Sequence, residues 1–161
     1  MSKLMNLTGN IVDIFDLQKE DISADVIILG ACRINRFLGQ TKYAYPVAAH
    51  LIGGYRYLEH IKASKTLMKQ WLIHEAFESY SGVDLPSPLK AELPLYKEAE
   101  KRALKVIAEA FGVEVGASIA IVGLPWIYWL WPFLDSEQLS HKQWLKSNQL
   151  VTLLKNHFKN L

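Results

Sequence analysis

The residues of this chain that are best suited to chemistry lie in one short stretch, from Trp71 to Lys90. An apolar run leads directly into His74 and Glu75, and a second carboxylate, Glu78, follows four residues after the histidine. On a helix, side chains four residues apart share a face, and the residue next to the histidine is turned away by about 100°. An imidazole and two carboxylates that converge are suited to holding a divalent metal ion. An ordinary amphipathic helix that carries a single histidine is the alternative interpretation.

The elements around this stretch follow from the spacing of apolar residues. A helix over 64–80 is predicted to carry the histidine, and the prolines after Ser81-Gly82 predict a turn and extended backbone. Gly39 is predicted to cap the helix that precedes it. The remaining pattern predicts a hairpin or extended arm over 5–16, helices over 24–35, 46–62 and 93–112, and a final amphipathic helix within 136–161. The expected fold class is therefore all-α with a short N-terminal β-hairpin, in a single domain over 1–161.

Composition excludes several classes of function. A net charge of +2 over 161 residues gives no reason to expect a nucleic acid as the main ligand. Cys32 is the single cysteine, so an internal disulfide framework is excluded and a reducing compartment is expected. The first ten residues lack the apolar core of a secretory leader, which favours a cytoplasmic location.

One uncharged stretch, 115–134, is long enough to span a bilayer as a helix. Gly123 and Pro125 interrupt it, and its aromatic residues are bunched over 126–133. We therefore interpret it as core or interface material, and we expect a homo-oligomer without a membrane span. A membrane-attached or interaction protein that uses the Trp-rich segment 126–133 is the alternative hypothesis.

The stretch around His74 resembles the central motif of the HD-domain phosphohydrolases, in particular their small phage-type and 5′-deoxynucleotidase-like branch. That motif reads approximately L-L-H-D-A-x-E-A-Y-x-G-D-x-P-x-P-L-K. The matching residues here are His74, Glu75, Ala76, Glu78, Ser79, Tyr80, Gly82, Asp84, Pro86, Pro88, Leu89 and Lys90. The family's R-F-x-G-H-T segment is similar to 36–41, and its Y-S-V-A-x-H segment is similar to 45–50. The resemblance covers about 5–112, and 113–161 forms divergent C-terminal helices.

The resemblance implies an HD-domain-like helical bundle and a metal-dependent phosphohydrolase acting on (deoxy)nucleotide phosphate esters. It implies that His50, His74 and Glu75 bind a divalent ion, which could be Mn, Co, Mg, Zn or Fe. It further implies two catalytic carboxylates, with Glu78 handling the attacking water and Asp84 acting as a second acid/base or substrate-orienting group. Two phosphate-binding cations complete the implied set, Arg36 and Lys90.

Each of these residues also has a structural interpretation. His50 can be a buried imidazole, Asp84 a turn residue, and Arg36 and Lys90 solvated cations.

This chain departs from the family pattern in its ligands. Glu75 stands at the place of the signature aspartate, Val83 is an extra residue, and Gln40 replaces a histidine. The family's last aspartate ligand has no counterpart around Glu114. A catalytically degenerate HD-domain protein, which binds a nucleotide or a protein partner without turnover, is therefore the second hypothesis.

Overall fold

The computed structural model describes residues 3–41, 44–114, 147–159 and 161. A small hairpin opens the chain, with β1 at Lys3–Met5 antiparallel to β2 at Ile11–Asp13. Seven α-helices follow in the described residues: α1 (Ala24–Arg33), α2 (Val47–His60), α3 (Lys65–Ile73), α4 (Glu78–Ser81), α5 (Ser87–Ala91), α6 (Pro94–Ala110) and α7 (Ser147–Phe158). The expectation of a mostly helical chain with an N-terminal hairpin is confirmed.

The core forms where α1, α2, α3, α6 and α7 turn their apolar faces inward. Ile27 of α1, Leu51 of α2 and Ile107 of α6 are fully buried, and so is Leu154 of α7. Burial of such aliphatic side chains contributes roughly 1.5–3 kcal/mol each. The predicted helices over 46–62 and 93–112 are confirmed to within two residues at each end.

The predicted helix over 64–80 is wrong in its middle. Ser64 caps α3, its hydroxyl accepting the Leu67 N–H at 3.2 Å, but the helix ends at Ile73. From His74 to Phe77 the chain makes successive turns, and the N–H groups of Ala76 and Glu78 donate to carbonyls only three residues back. Helical order resumes in α4, which ends at Gly82 in the left-handed conformation that suits glycine (φ 79°). The motif residues therefore occupy a tightened turn between two helices.

Two other boundaries differ from the sequence prediction. Helix α1 ends at Arg33, before a separate short turn over Arg36–Gly39, so Gly39 does not cap it. After Pro86, the predicted extended backbone gives way to α5, with Pro88 in its first turn. Proline is favoured there because its missing N–H is not needed.

Close approach between helices requires a small residue at Gly54. A Cβ at Gly54 in α2 would overlap the indole ring of Trp71 in α3. That indole donates its N–H to the Leu51 carbonyl at 2.9 Å, which fixes the ring between the two helices.

Tyr80 ties α4 to the start of α1. Its hydroxyl accepts the Ser23 N–H at 2.9 Å and donates to the Asp21 carbonyl at 3.0 Å. Burial raises the pKa of Tyr80 to about 12, and it does the same for Tyr45 and Tyr96. An ionised phenolate in these places is therefore costly.

Alkaline pH is expected to destabilise the fold over a defined window. The unfolded chain releases its tyrosine protons near pH 10, whereas the folded chain holds these three until about pH 12. Stability is therefore full below about pH 10 and falls as pH rises towards about 12. For Tyr80, after allowance for solvent screening, the loss is about 1–3 kcal/mol. Urea unfolding at several pH values, with phenolate absorbance at 295 nm, checks this. Titration of all seven tyrosines near pH 10 without any loss of stability would contradict it.

None of the helices in the described residues is both long and apolar enough to cross a membrane. The Trp-rich segment 126–133, and the first part of the predicted C-terminal helix, lie outside those residues. The cytoplasmic location and the homo-oligomeric state stay predictions.

Candidate metal centre

Two histidines and one glutamate from different elements converge on one point. His50 lies in the first turns of α2, and His74 and Glu75 lie in the turn after α3. The two Nε2 atoms are 3.4 Å apart, and Glu75 Oε1 is 3.6 Å from that of His50 and 3.3 Å from that of His74. The sequence-predicted metal ligands are therefore brought together, within a group whose ligand atoms all lie within 4.8 Å of one another.

The spacing of these three atoms fits a divalent ion. Ligand atoms held about 2.1 Å from a tetrahedral ion lie roughly 3.4 Å apart. The three observed distances, 3.4, 3.6 and 3.3 Å, bracket that value. Two imidazoles and one carboxylate form a donor set suited to zinc, iron, cobalt or manganese. The donors present therefore fit a metal ion.

The protonation of His74 also suits a ligand. Its Nδ1 lies 2.5 Å from the Trp71 carbonyl oxygen, which can only accept, so Nδ1 carries a proton. In the neutral ring, Nε2 then presents its lone pair. Metal-binding histidines usually donate their other ring N–H in this way. The Trp71 carbonyl is free for this contact because α3 ends two residues later.

Trp71 supports both imidazoles. Its ring centroid lies 4.9 Å from that of His50 and 4.4 Å from that of His74. The ring is itself held by Gly54 and Leu51. In the sequence, Trp71 was identified only as part of the apolar run before His74. Its position three residues before that histidine was the signal that could have predicted their contact.

Burial and charge keep the His50 imidazole neutral and Glu75 ionised. Burial and the nearby Arg36 lower the pKa of His50 well below its usual value, although the negative charge of Glu75 opposes them. Burial alone raises the pKa of the Glu75 carboxyl, but contacts with His74 and the charge of Arg36 outweigh it and hold that pKa well below its usual range. Neutral imidazoles and an ionised carboxylate are the forms that bind metal.

Arg36 is buried between two carboxylates. One of its terminal nitrogens, Nη1, pairs with Glu75 Oε1, and its Nε lies 3.3 Å from Asp84 Oδ2. The same Asp84 oxygen accepts the backbone N–H of Phe37 at 2.9 Å. Phe37 and Leu38 both have positive φ, 55° and 54°, a conformation that costs energy in non-glycine residues. Asp84 therefore holds an unusual turn and the guanidinium together, a role beyond that of a plain turn residue.

Glu78 is the most deeply buried carboxylate among the described residues. It is 1% exposed, and neither of its oxygens has a hydrogen-bond partner within the part of the chain that the structure describes. Burial, together with the charges of Glu75 and Asp84, raises its pKa to about 11. A buried carboxyl without a partner is costly, so its presence indicates a purpose other than stability.

Lys90 lies at the edge of this group and is already paired. Its Nζ is 2.6 Å from Glu100 Oε1, and it stands 6.0 Å above the ring of Tyr96. Burial alone lowers the pKa of Lys90, but the bond to Glu100 and the charges of Glu75 and Glu78 outweigh it and raise that pKa. The structure therefore places Lys90 beside the centre, but engaged with Glu100, a residue that the motif did not single out.

Comparison with known proteins gives a relative without an assigned activity. No protein-family model matches the chain. It is similar to the uncharacterized protein YfdR of Escherichia coli (strain K12), with 32% identity over 113 residues. The match covers 70% of this chain and 60% of that protein, so this chain matches less than two thirds of its relative.

Proposed function

We propose that this chain is a metal-dependent phosphohydrolase that acts on (deoxy)nucleotide phosphate esters. The observation that carries the proposal is the convergence of His50 Nε2, His74 Nε2 and Glu75 Oε1 at 3.3–3.6 Å beside the buried, unpartnered carboxyl of Glu78. The order of these residues in an HD-like motif supplies the reaction class. When bound, a divalent ion polarises a phosphate oxygen and lowers the pKa of a coordinated water.

Other roles in the proposed reaction are assigned to individual side chains. His50, His74 and Glu75 would hold the ion, and Trp71 keeps both imidazoles oriented. The Glu78 carboxyl moves a proton at its Oε atoms and orients the attacking water. Arg36 binds and orients a phosphate through its planar fork of N–H donors. Because these groups are largely buried, water other than the nucleophile is excluded from them.

The alternative proposal, an HD-domain protein that binds without turnover, rests on a different contact. Glu75 Oε1, the oxygen that faces both imidazoles, also pairs with Arg36. The family's aspartate is shorter by one methylene, about 1.5 Å. A ligand oxygen engaged by a guanidinium favours weak metal binding, and with it loss of hydrolysis.

Hydrolysis is tested by assaying release of phosphate, pyrophosphate and triphosphate from deoxynucleoside mono- and triphosphates, with Mn²⁺, Co²⁺, Mg²⁺ or EDTA. We expect release that depends on metal and falls by at least about 10³-fold in His74→Ala, because that variant loses a ligand. His60→Ala is the matched control, since His60 is exposed at the end of α2.

No release from any of these substrates by a folded, metal-treated protein would reject hydrolysis of deoxynucleotides. Metal-independent binding of a nucleotide by that protein, lost in Arg36→Gln, would then support the alternative.

A further inference from the structure

Arg36 and the proposed metal site share one atom. Nη1 of Arg36 pairs with Glu75 Oε1, and that oxygen is also the one within 3.6 Å of His50 Nε2 and 3.3 Å of His74 Nε2. An oxygen that accepts a charge-assisted hydrogen bond has less electron density to offer a metal ion. The guanidinium and the ion are also both positive, and buried like charges at short range repel strongly.

The guanidinium is held in this place by a second contact. Its Nε lies 3.3 Å from Asp84 Oδ2, and Asp84 also fixes the backbone of Phe37. Arg36 itself is 6% exposed. Its position beside Glu75 is therefore set by the fold and is not the chance pose of a mobile surface side chain.

We propose that Arg36 competes with the metal ion for Glu75, so that loading the ion frees the guanidinium to hold an anion. The inference rests on the proposed metal site and adds an order to it. Metal binding comes first, and it moves Arg36 off Oε1 while Asp84 keeps the side chain beside the centre. The freed fork of N–H donors then takes a tetrahedral oxyanion such as inorganic phosphate.

Such an order has a reciprocal consequence. If the ion strengthens anion binding by releasing Arg36, the anion must strengthen ion binding by the same factor. Without Arg36 the ion meets no competitor, so it should bind more tightly while the anion binds less tightly. A residue that only gripped phosphate would leave the affinity for the metal alone unchanged.

The test is titration of Co²⁺ into the metal-free chain of residues 1–161, with binding measured by the visible absorption of the bound cobalt. We expect Arg36→Gln to lower the Kd for Co²⁺ at least tenfold. Glutamine removes the positive charge. Lys90→Gln is the matched control, because it removes a nearby cation that pairs with Glu100 and not with Glu75; we expect less than a threefold change.

An equal or higher Kd in folded Arg36→Gln would overturn the inference while leaving the metal site intact. Equal tightening in Lys90→Gln would also overturn it, because general electrostatics would then explain the effect. If His74→Ala binds Co²⁺ as the wild type does, the metal site itself is wrong.

If Arg36→Gln does not fold, the affinity of Arg36→Lys for Co²⁺ tests the inference instead. Lysine keeps the buried charge but lacks the planar fork that lies between Glu75 and Asp84. Tighter Co²⁺ binding supports competition, and unchanged binding overturns it. In the wild type, Kd for inorganic phosphate should fall when Co²⁺ is present, and this fall should be smaller in Arg36→Gln, where only the ion itself attracts the anion. A fall by the same factor in that variant would show that phosphate gains nothing from the released guanidinium, against the inference.

Discussion

A Gly54→Val chain is expected to be less stable than the wild type by about 3 kcal/mol, because a buried ring has no room to move. A Cβ at position 54 would overlap the indole of Trp71. That indole is 3% exposed, and its N–H is bonded to the Leu51 carbonyl. Valine recovers only about 0.5 kcal/mol of helix propensity over glycine, so propensity cannot offset the clash.

The same substitution is expected to weaken metal binding. Trp71 packs against the rings of His50 and His74, with centroids 4.9 and 4.4 Å away, and its carbonyl holds His74 Nδ1. Any shift of the indole therefore changes the distance between the two Nε2 atoms. Loss of a contact that orients a metal ligand typically costs 10- to 100-fold in affinity, about what we expect here.

Urea unfolding of Gly54→Val, alone and combined with Trp71→Phe, tests whether the indole ring causes the loss of stability. The closest overlap is with Cζ2 in the six-membered ring of the indole, an atom that phenylalanine lacks. The valine should therefore cost at least about 1.5 kcal/mol less when Trp71→Phe is already present. Equal costs in both backgrounds would show that the indole is not what excludes a side chain at position 54. Trp71→Phe alone is the control, since it measures the loss of the bond to Leu51.

The sequence contained enough information to predict the helices that are amphipathic over several turns. The helices over 46–62 and 93–112 were predicted closely because their apolar spacing continues over at least four turns and their ends carry proline or glycine. The helix over 64–80 was also predicted from apolar spacing, but that spacing does not report which hydrogen bonds close each turn. The break at His74–Phe77 depends on tertiary contacts, which overrode the periodicity.

The ligands of the candidate centre were predicted more completely than its ion pairs. His50, His74 and Glu75 could be named because a motif orders them along the chain. The partner of Arg36 could not be named, because Glu75 and Asp84 lie 39 and 48 positions further on, and no local pattern relates such distant charges. The pairing of Lys90 with Glu100 was missed for the same reason, since it joins two helices across a turn.

A Glu78→Gln chain is expected to lose hydrolysis by about 10²–10⁴-fold while keeping its stability. The carboxyl is 1% exposed, and among the described residues neither oxygen has a hydrogen-bond partner. Glutamine has nearly the same shape, and a carboxyl whose pKa is about 11 is already uncharged at neutral pH. The substitution therefore removes the titratable proton and breaks no hydrogen bond among the described residues. A buried group that costs stability and is retained is typical of an active site. We therefore expect an unfolding free energy within about 1 kcal/mol of that of the wild type.

Paired measurements on one preparation separate a role in the reaction from a role in the fold. Glu109→Gln, at an exposed position of α6, makes the same chemical change away from the centre and should alter neither quantity. A stability loss above about 1 kcal/mol in Glu78→Gln would show that the carboxyl has a structural partner that the described contacts lack. Unchanged hydrolysis with unchanged stability would remove Glu78 from the reaction, and the proton would have to move through another group. A large loss of hydrolysis without a loss of stability is therefore the result that a catalytic role requires.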